Sequence, residues 1–244
     1  MKDMKRSKDD RRRSKNVMDN FSLIDEPIGL SAQKEYFSFS ETIDFENVDY
    51  KNILTESDRL FCKDTPIESK KKILILLAHL GTPESCRILE KYLKSSETKL
   101  RDWALLSLKE CRTFVESVLL KEEGGFISTG LGGKDNKLRY YFIVSSKDGL
   151  PFSDSHRNTF KREFETVSRK HKSEIEEINF EATYVMIGML IPMDIAVGEI
   201  IEEGISECNH IGEFLSLDYY VTNVGKPTHE EITDYLEAIK HEEK

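Results

Sequence analysis

The stretch "TYVMIGMLIPMDIAVGEIIEE", Thr183 to Glu203, decides the fold class. Tyr184 to Ile191 is the most apolar run of the chain and has the length of a strand, far short of the ~18 apolar residues that a membrane span needs. Ala196 to Cys208 then reads as a helix. Working outward, an extended segment begins at Ile175, and Ser155 to about Lys172 is a helix with Phe160, Phe164 and Val167 on one face. "LRYYFIV", Leu138 to Val144, is a strand, as is Phe214 to Val224, and Thr228 to about Lys240 is a final helix. Strands alternating with helices at this spacing predict an α+β sandwich with helices on one face of a small sheet.

Upstream the pattern is helical. Pro66 opens a helix whose apolar face is Ile67, Ile73, Leu74, Leu77 and Leu80, and Gly81 closes it as a C′ residue. Thr82-Pro83-Glu84 opens the next as N-cap and first-turn proline, and Ser95-Ser96-Glu97 ends it. A third runs from about Thr98 to Leu119, with Leu100, Trp103, Ala104, Leu106, Leu108 and Val115 as candidate core. The string "GTPESCRILEKYLKSSETKLRDWALLSLKEC", Gly81 to Cys111, resembles a HEAT-like repeat; plain helical hairpins are the alternative, since such repeats stack in threes or more. The domain division is then 1–48, a mostly disordered basic arm; 49–122, a HEAT-like helical domain; 123–137, a glycine-rich connection; and 138–244, the sandwich. Tyr36-Phe37-Ser38-Phe39-Ser40 alternates aromatic and polar residues, as a short strand or a packed anchor does.

Net charge over the 244 residues is −9, unevenly spread. Residues 1–15 carry eight Lys/Arg against three Asp, a net +5, which leaves −14 for the rest. A basic arm on an acidic body suits polyanion binding through counterion release, or is a solvated tail. The acidic body opposes a broad nucleic-acid footprint. Cys62, Cys86, Cys111 and Cys208 form no CxxC pair, so they read as reduced, mostly buried residues without a zinc site. The charged first fifteen residues precede no apolar signal core, which makes the cytoplasm the expected location and excludes a membrane partner.

Three stretches together resemble the single-tyrosine HUH transposases, the insertion-sequence and REP-associated tyrosine family. They are "LRYYFIV", the Thr183–Glu203 stretch with its "IPMD" turn, and "SLDYYVTNVGKPTHEEITDYLEAI", Ser216 to Ile239. The resemblance covers roughly residues 138 to 240 and implies a ferredoxin-like sandwich, dimerisation through the sheets, and a nucleophilic tyrosine at Tyr235. In the family two histidines project from one face of a strand, because side chains repeat with period two, and hold a divalent metal. Here those positions are Tyr184 and Met186, and a glutamine ligand one turn after the tyrosine is replaced by Ile239. A thioether and a neutral phenol are poor ligands for a hard cation. No metal and no cofactor is therefore expected, catalysis is not expected, and Tyr235 reads as a vestigial nucleophile or as a packing residue of an amphipathic helix.

No GxGxxG, P-loop, GxSxG or HExxH motif occurs in the sequence. "STGLGGK" is similar to a phosphate-binding glycine loop but precedes a strand rather than a helix. Lys134, Lys137 and Arg139 around that loop, with Arg157, Lys161 and Arg169 on the following helix, are the candidate nucleic-acid contacts. The expected function is a non-catalytic, transposase-derived homodimer that binds structured or single-stranded DNA or RNA. The alternative is a protein-interaction adaptor whose helices at 66–120 supply the binding surface.

Overall fold

The structure, a computed structural model, describes residues 21–95, 98–121 and 124–242. The basic arm expected at residues 1–15 lies outside the described residues. The chain divides into two compact units, Met1–Ser128 and Thr129–Lys244.

In the first unit, strand β1 (Phe21–Leu23) pairs in parallel with β2 (Gly125–Ile127). Between them come helices α1 (Leu30–Glu41), α2 (Tyr50–Glu56), α3 (Ile67–Leu80), α4 (Pro83–Ser95) and α5 (Arg101–Leu120). The expected helix boundaries at Pro66, Gly81 and Thr82 coincide with the observed ones. Gly81 takes the left-handed conformation, φ 55°, which a side chain disfavours. Thr82 and Ser85 cap α4 reciprocally, each main-chain N–H donating to the other's hydroxyl, at 3.0 Å from Thr82 and 3.2 Å from Ser85.

Three expectations change here. Residues 21–48, expected to be mostly disordered, form β1, α1 and a 3-10 turn at Phe45–Asn47. Of the two alternatives for Tyr36–Ser40, the strand gives way to the packed anchor, which is helical. Tyr36 and Phe39, three residues apart, both pack their rings on Trp103, at 5.2 and 5.7 Å, so helical spacing and not alternation selects the inward positions. Lys71 Nζ sits 5.0 Å from the Trp103 ring and bonds Glu35 at 2.5 Å. Cys86 and Cys111, expected to be reduced, are joined as a disulfide with their Cα atoms 5.9 Å apart. They lie on α4 and α5, which pack side by side, a proximity that sequence spacing does not reveal.

The second unit opens with a hairpin, β3 (Gly133–Lys134) and β4 (Lys137–Ser146). Asp135 and Asn136 both have positive φ, 50° and 59°, as a two-residue type I′ turn requires. The glycine-rich connection thus ends in paired structure. Helix α6 (Asp154–Lys170) follows, then β5 (Glu174–Phe180), β6 (Tyr184–Pro192), α7 (Val197–Gly212), β7 (Leu215–Thr222) and α8 (His229–Glu242). The extended segment expected over 175–191 is therefore two strands. The sheet runs β7-β4-β6-β5 with every pairing antiparallel, and β3 extends it beside β4.

Phe142, Val144, Val185, Ile187 and Met189 face α6 and α7, where they meet Phe160, Phe164, Ile200, Ile201 and Ile205. Ile143, between two of them on β4, is also fully buried, as is Leu190 on β6. Both faces of the central strands are apolar, so both must be covered. The last helix is accordingly on the opposite face: Tyr235 of α8 bonds the β7 main chain, and Leu236 and Ile239 sit beside Ser145. This corrects the expectation of helices on a single face. At the start of β7, Asn209 bonds both main-chain groups of Leu215, at 2.9 and 3.0 Å.

Gly204 on α7 presses against Phe164; a Cβ there would stand 2.5 Å from the ring, which is itself stacked on Phe160 at 4.3 Å. Gly204→Ala should destabilise the sandwich by about 1–3 kcal/mol through overpacking, despite the better helix propensity of alanine. A urea titration followed by near-ultraviolet circular dichroism measures it.

Candidate functional site

Alternation along β4 and β6 puts Tyr184 and Met186 on the face turned away from α6 and α7, because Val185, Ile187 and Met189 fill the helix-side core. In register, Tyr184 lies opposite Ser145 and Met186 opposite Ile143. On the other side of β4, Ile143 pairs with Tyr220 of β7, and the Tyr220 ring is 6.1 Å from that of Tyr235. A cavity of about 240 Å³ lies alongside, lined by Ser145, Ser146, Thr183, Leu236 and Ile239 among others. The four positions singled out in the sequence, Tyr184, Met186, Tyr235 and Ile239, thus reach one face from two elements, β6 and α8: Tyr184, Tyr235 and Ile239 adjoin Ser145, and Met186 adjoins Ile143.

Their chemistry does not suit a hard divalent cation. Burial raises the Tyr184 phenol, with Glu181 adding to the effect, so it stays a neutral donor. Met186 offers a thioether and Ile239 no donor atom. Among the described residues no three His, Cys, Asp or Glu are grouped so as to hold a metal. The histidines have other neighbours: His156 stacks on Phe214 at 4.5 Å, His79 on Phe45 at 3.8 Å, and His171 Nε2 meets Glu203 at 2.7 Å. The Tyr235 hydroxyl donates to the Asp218 carbonyl at 2.9 Å. Burial, reinforced by the Asp218 charge and opposed by the Ser145 hydroxyl, pushes this phenol up to about 12. A phenol so held is a poor source of phenolate.

The same face carries an arrangement that the sequence reading did not pick out. β6 lies between β4 and β5, yet three side chains of β4 reach across it. Lys137 pairs with Glu174. Arg139 forks onto Glu176, Nε to Oε2 at 2.6 Å and a terminal nitrogen to Oε1 at 2.9 Å. Tyr141 donates to Glu177. Glu177 also accepts Lys226 at 2.8 and 3.0 Å and Asn179 at 2.6 Å. Those donors, Lys226 first, hold its carboxyl below the usual range, while burial and then Glu177 push the Tyr141 phenol up to about 12. Beneath this last strap is Gly188, where a Cβ would stand 3.0 Å from both Glu177 Cγ and the Tyr141 ring. A lone glycine in an otherwise apolar strand is the one sequence signal that could have found it.

The six basic candidates fall into three places. Lys134, Lys137 and Arg139 share the β3–β4 hairpin; Lys137 and Arg139 belong to the straps, and Lys134 is exposed, its charge helping to hold the Glu174 carboxyl below its usual range. Arg157 and Lys161 meet over one ring, 5.2 and 5.8 Å from the centre of Phe180. Arg169, roughly 18 Å further along α6, bonds Thr166 at 3.3 Å and joins neither group.

Neither a family model nor a curated relative matches the chain. Among solved structures it is similar to a putative transposase from Deinococcus radiodurans R1, at 17% identity and TM-score 0.37, over 42% of this chain and 90% of that one. It is also similar to a REP-associated tyrosine transposase bound to a REP hairpin, at 12% identity and TM-score 0.33, over 43% and 69% of the two chains.

Tyr235→Phe removes the bond to Asp218 and should cost about 0.5–1.5 kcal/mol in a denaturant titration at neutral pH. The folded phenol titrates near 12 instead of 10.0. Its contribution is therefore complete below pH 10 and disappears as the pH climbs through 12. The stability difference between wild type and variant should shrink over that window and no other.

Proposed function

We propose that this protein is a non-catalytic, transposase-like binder of structured or single-stranded nucleic acid. The observation that carries the reading is the gathering of Tyr184, Met186, Tyr235 and Ile239 on the Ile143–Ser145 face of β4, where a metal and a nucleophile belong in the single-tyrosine transposases and where these side chains offer neither. The β-α-β-β-α-β order with its β7-β4-β6-β5 sheet supports a ferredoxin-like sandwich, and the α3–α4–α5 succession supports a HEAT-like reading of the first unit. Homodimerisation and a cytoplasmic location belong to the same proposal.

The strapped cations redirect the search for the binding surface. A phosphate at Arg139 must displace a bidentate carboxylate, whereas Arg157 and Lys161, one helical turn apart over Phe180, present two cations on an aromatic platform. The ring positions the two cations, and cations so paired can hold successive phosphates of a single strand. Exposed Lys134 is a further, separate contact.

A second reading is an adaptor using the helical unit. Its support is the end of α5, where Val118, Leu119 and Leu120 are 74%, 75% and 68% exposed in succession, an apolar patch of the kind that marks protein contacts.

Fluorescence anisotropy with single-stranded and hairpin DNA and RNA separates these readings. The first predicts binding by the full chain that weakens with salt and falls roughly tenfold in Arg157→Glu/Lys161→Glu, a loss of about 1.4 kcal/mol. It also predicts no cleavage with Mg²⁺ or Mn²⁺. Metal-dependent cleavage abolished by Tyr235→Phe overturns the non-catalytic part. Absence of binding even at low salt overturns the nucleic-acid part and leaves the adaptor.

A further inference from the structure

The first unit contains an aromatic recess that neither reading uses. Its volume is about 490 Å³, and its lining includes Phe21, Phe37, Phe114, Phe126 and Glu110. Three of the rings are 37%, 47% and 36% exposed. Single exposed apolar side chains are ordinary, but several converging on one concavity of ligand size are the mark of a binding site. β2 builds one wall: Phe126 stacks with Phe37 at 6.4 Å, and Gly125 lets Phe21 lie flat, since a Cβ there would be 2.4 Å from its ring.

Charge narrows the ligand. Among the described residues lining the recess, Glu110 is the sole ionisable group. Its Oε2 accepts the hydroxyl of the fully buried Tyr36 at 2.5 Å. The other polar groups of the wall are turned inward: Thr113 donates to the Lys109 carbonyl at 3.0 Å and Ser117 to that of Phe114 at 2.9 Å. What the recess offers is ring faces, negative at their centres, and one carboxylate. We propose that it binds a small organic ammonium ion, quaternary or fully methylated, between the phenylalanines and against Glu110.

An anion meets the carboxylate and is repelled. A neutral apolar molecule leaves Glu110 facing hydrocarbon, an arrangement that costs desolvation with nothing in return. A primary ammonium is strongly hydrated and gives up water reluctantly. A methylated ammonium is a weakly hydrated cation with an apolar skin, which satisfies rings and carboxylate together. Burial lifts the Glu110 carboxyl above its usual range, as happens to a buried acid lacking a cationic neighbour.

The test uses the full chain and two probes of one shape, choline and its neutral carbon isostere 3,3-dimethylbutan-1-ol, titrated by calorimetry. Trp103, which packs on Tyr36, provides a parallel fluorescence signal. Saturable choline binding is expected, with the isostere roughly tenfold weaker or worse. Glu110→Gln, which keeps an acceptor for Tyr36, and Phe37→Leu, at an exposed ring, should each weaken choline by roughly tenfold while the melting curve confirms folding. Equal affinity for the isostere reduces the recess to an apolar hole and overturns the proposal. So does choline binding indifferent to both variants, and so does no saturable binding of choline.

Discussion

Side-chain alternation along β4 divides the second unit into two faces with different tasks. The even positions, Tyr140, Phe142 and Val144, pack with α6 and α7 and build an ordinary core. The odd ones, Arg139, Tyr141, Ile143 and Ser145, turn to the face that carries the straps and α8. Since the period is two, slipping the register by one residue would send Arg139 and Tyr141 into the helix core and Phe142 under the charges. The pairing of β4 with β6 along nearly its whole length and with β7 from Tyr141 onward fixes that register, and every other placement on the second face follows from it.

Much of the chain's architecture was legible as sequence, for identifiable reasons. Pro66, Gly81 and Thr82 announce helix ends through local backbone chemistry that needs no tertiary contact. The run from Leu138 to Val144 was readable as a strand because its length and β-branched content leave little else. What failed depended on contacts distant in sequence. Tyr36 to Ser40 alternates like a strand, yet Trp103, more than sixty residues away, rewards the helical pair Tyr36 and Phe39. Cys86 and Cys111 stand in no recognised spacing and are brought together by two helices. The single-face expectation for the sandwich overlooked that Phe142, Ile143 and Val144 are consecutive and all apolar, which demands cover on both sides.

The candidate site was legible in part. Tyr184, Met186, Tyr235 and Ile239 were named from sequence, and the fold brings them to one place. The basic candidates were read as a list of charges, and a list cannot say which charges already have partners. Glu174, Glu176 and Glu177 meet Lys137, Arg139 and Tyr141 across β6, where the register of β5 shifts between Ile175 and Glu177, a placement that residue types alone do not reveal. An exposed ion pair contributes little to stability, typically below ~1 kcal/mol. Its larger effect here is on availability, because a cation held by a carboxylate across a strand is no longer waiting for a phosphate.

Those straps have a consequence for how the sheet opens. β6 is bordered by β4 on one edge and β5 on the other. Ile187 and Met189 seal it from the helix side, and the side chains reaching from β4 to β5 lie over Leu190 and Gly188 on the other. Fraying can begin at β7 or β5, each with one free edge among the described residues, but β6 has no side from which water arrives first. β4, bordered by β6 on one edge and by β7 and β3 on the other, shares that position, so the amide protons of these two inner strands are expected to exchange last, through disruption of the whole unit.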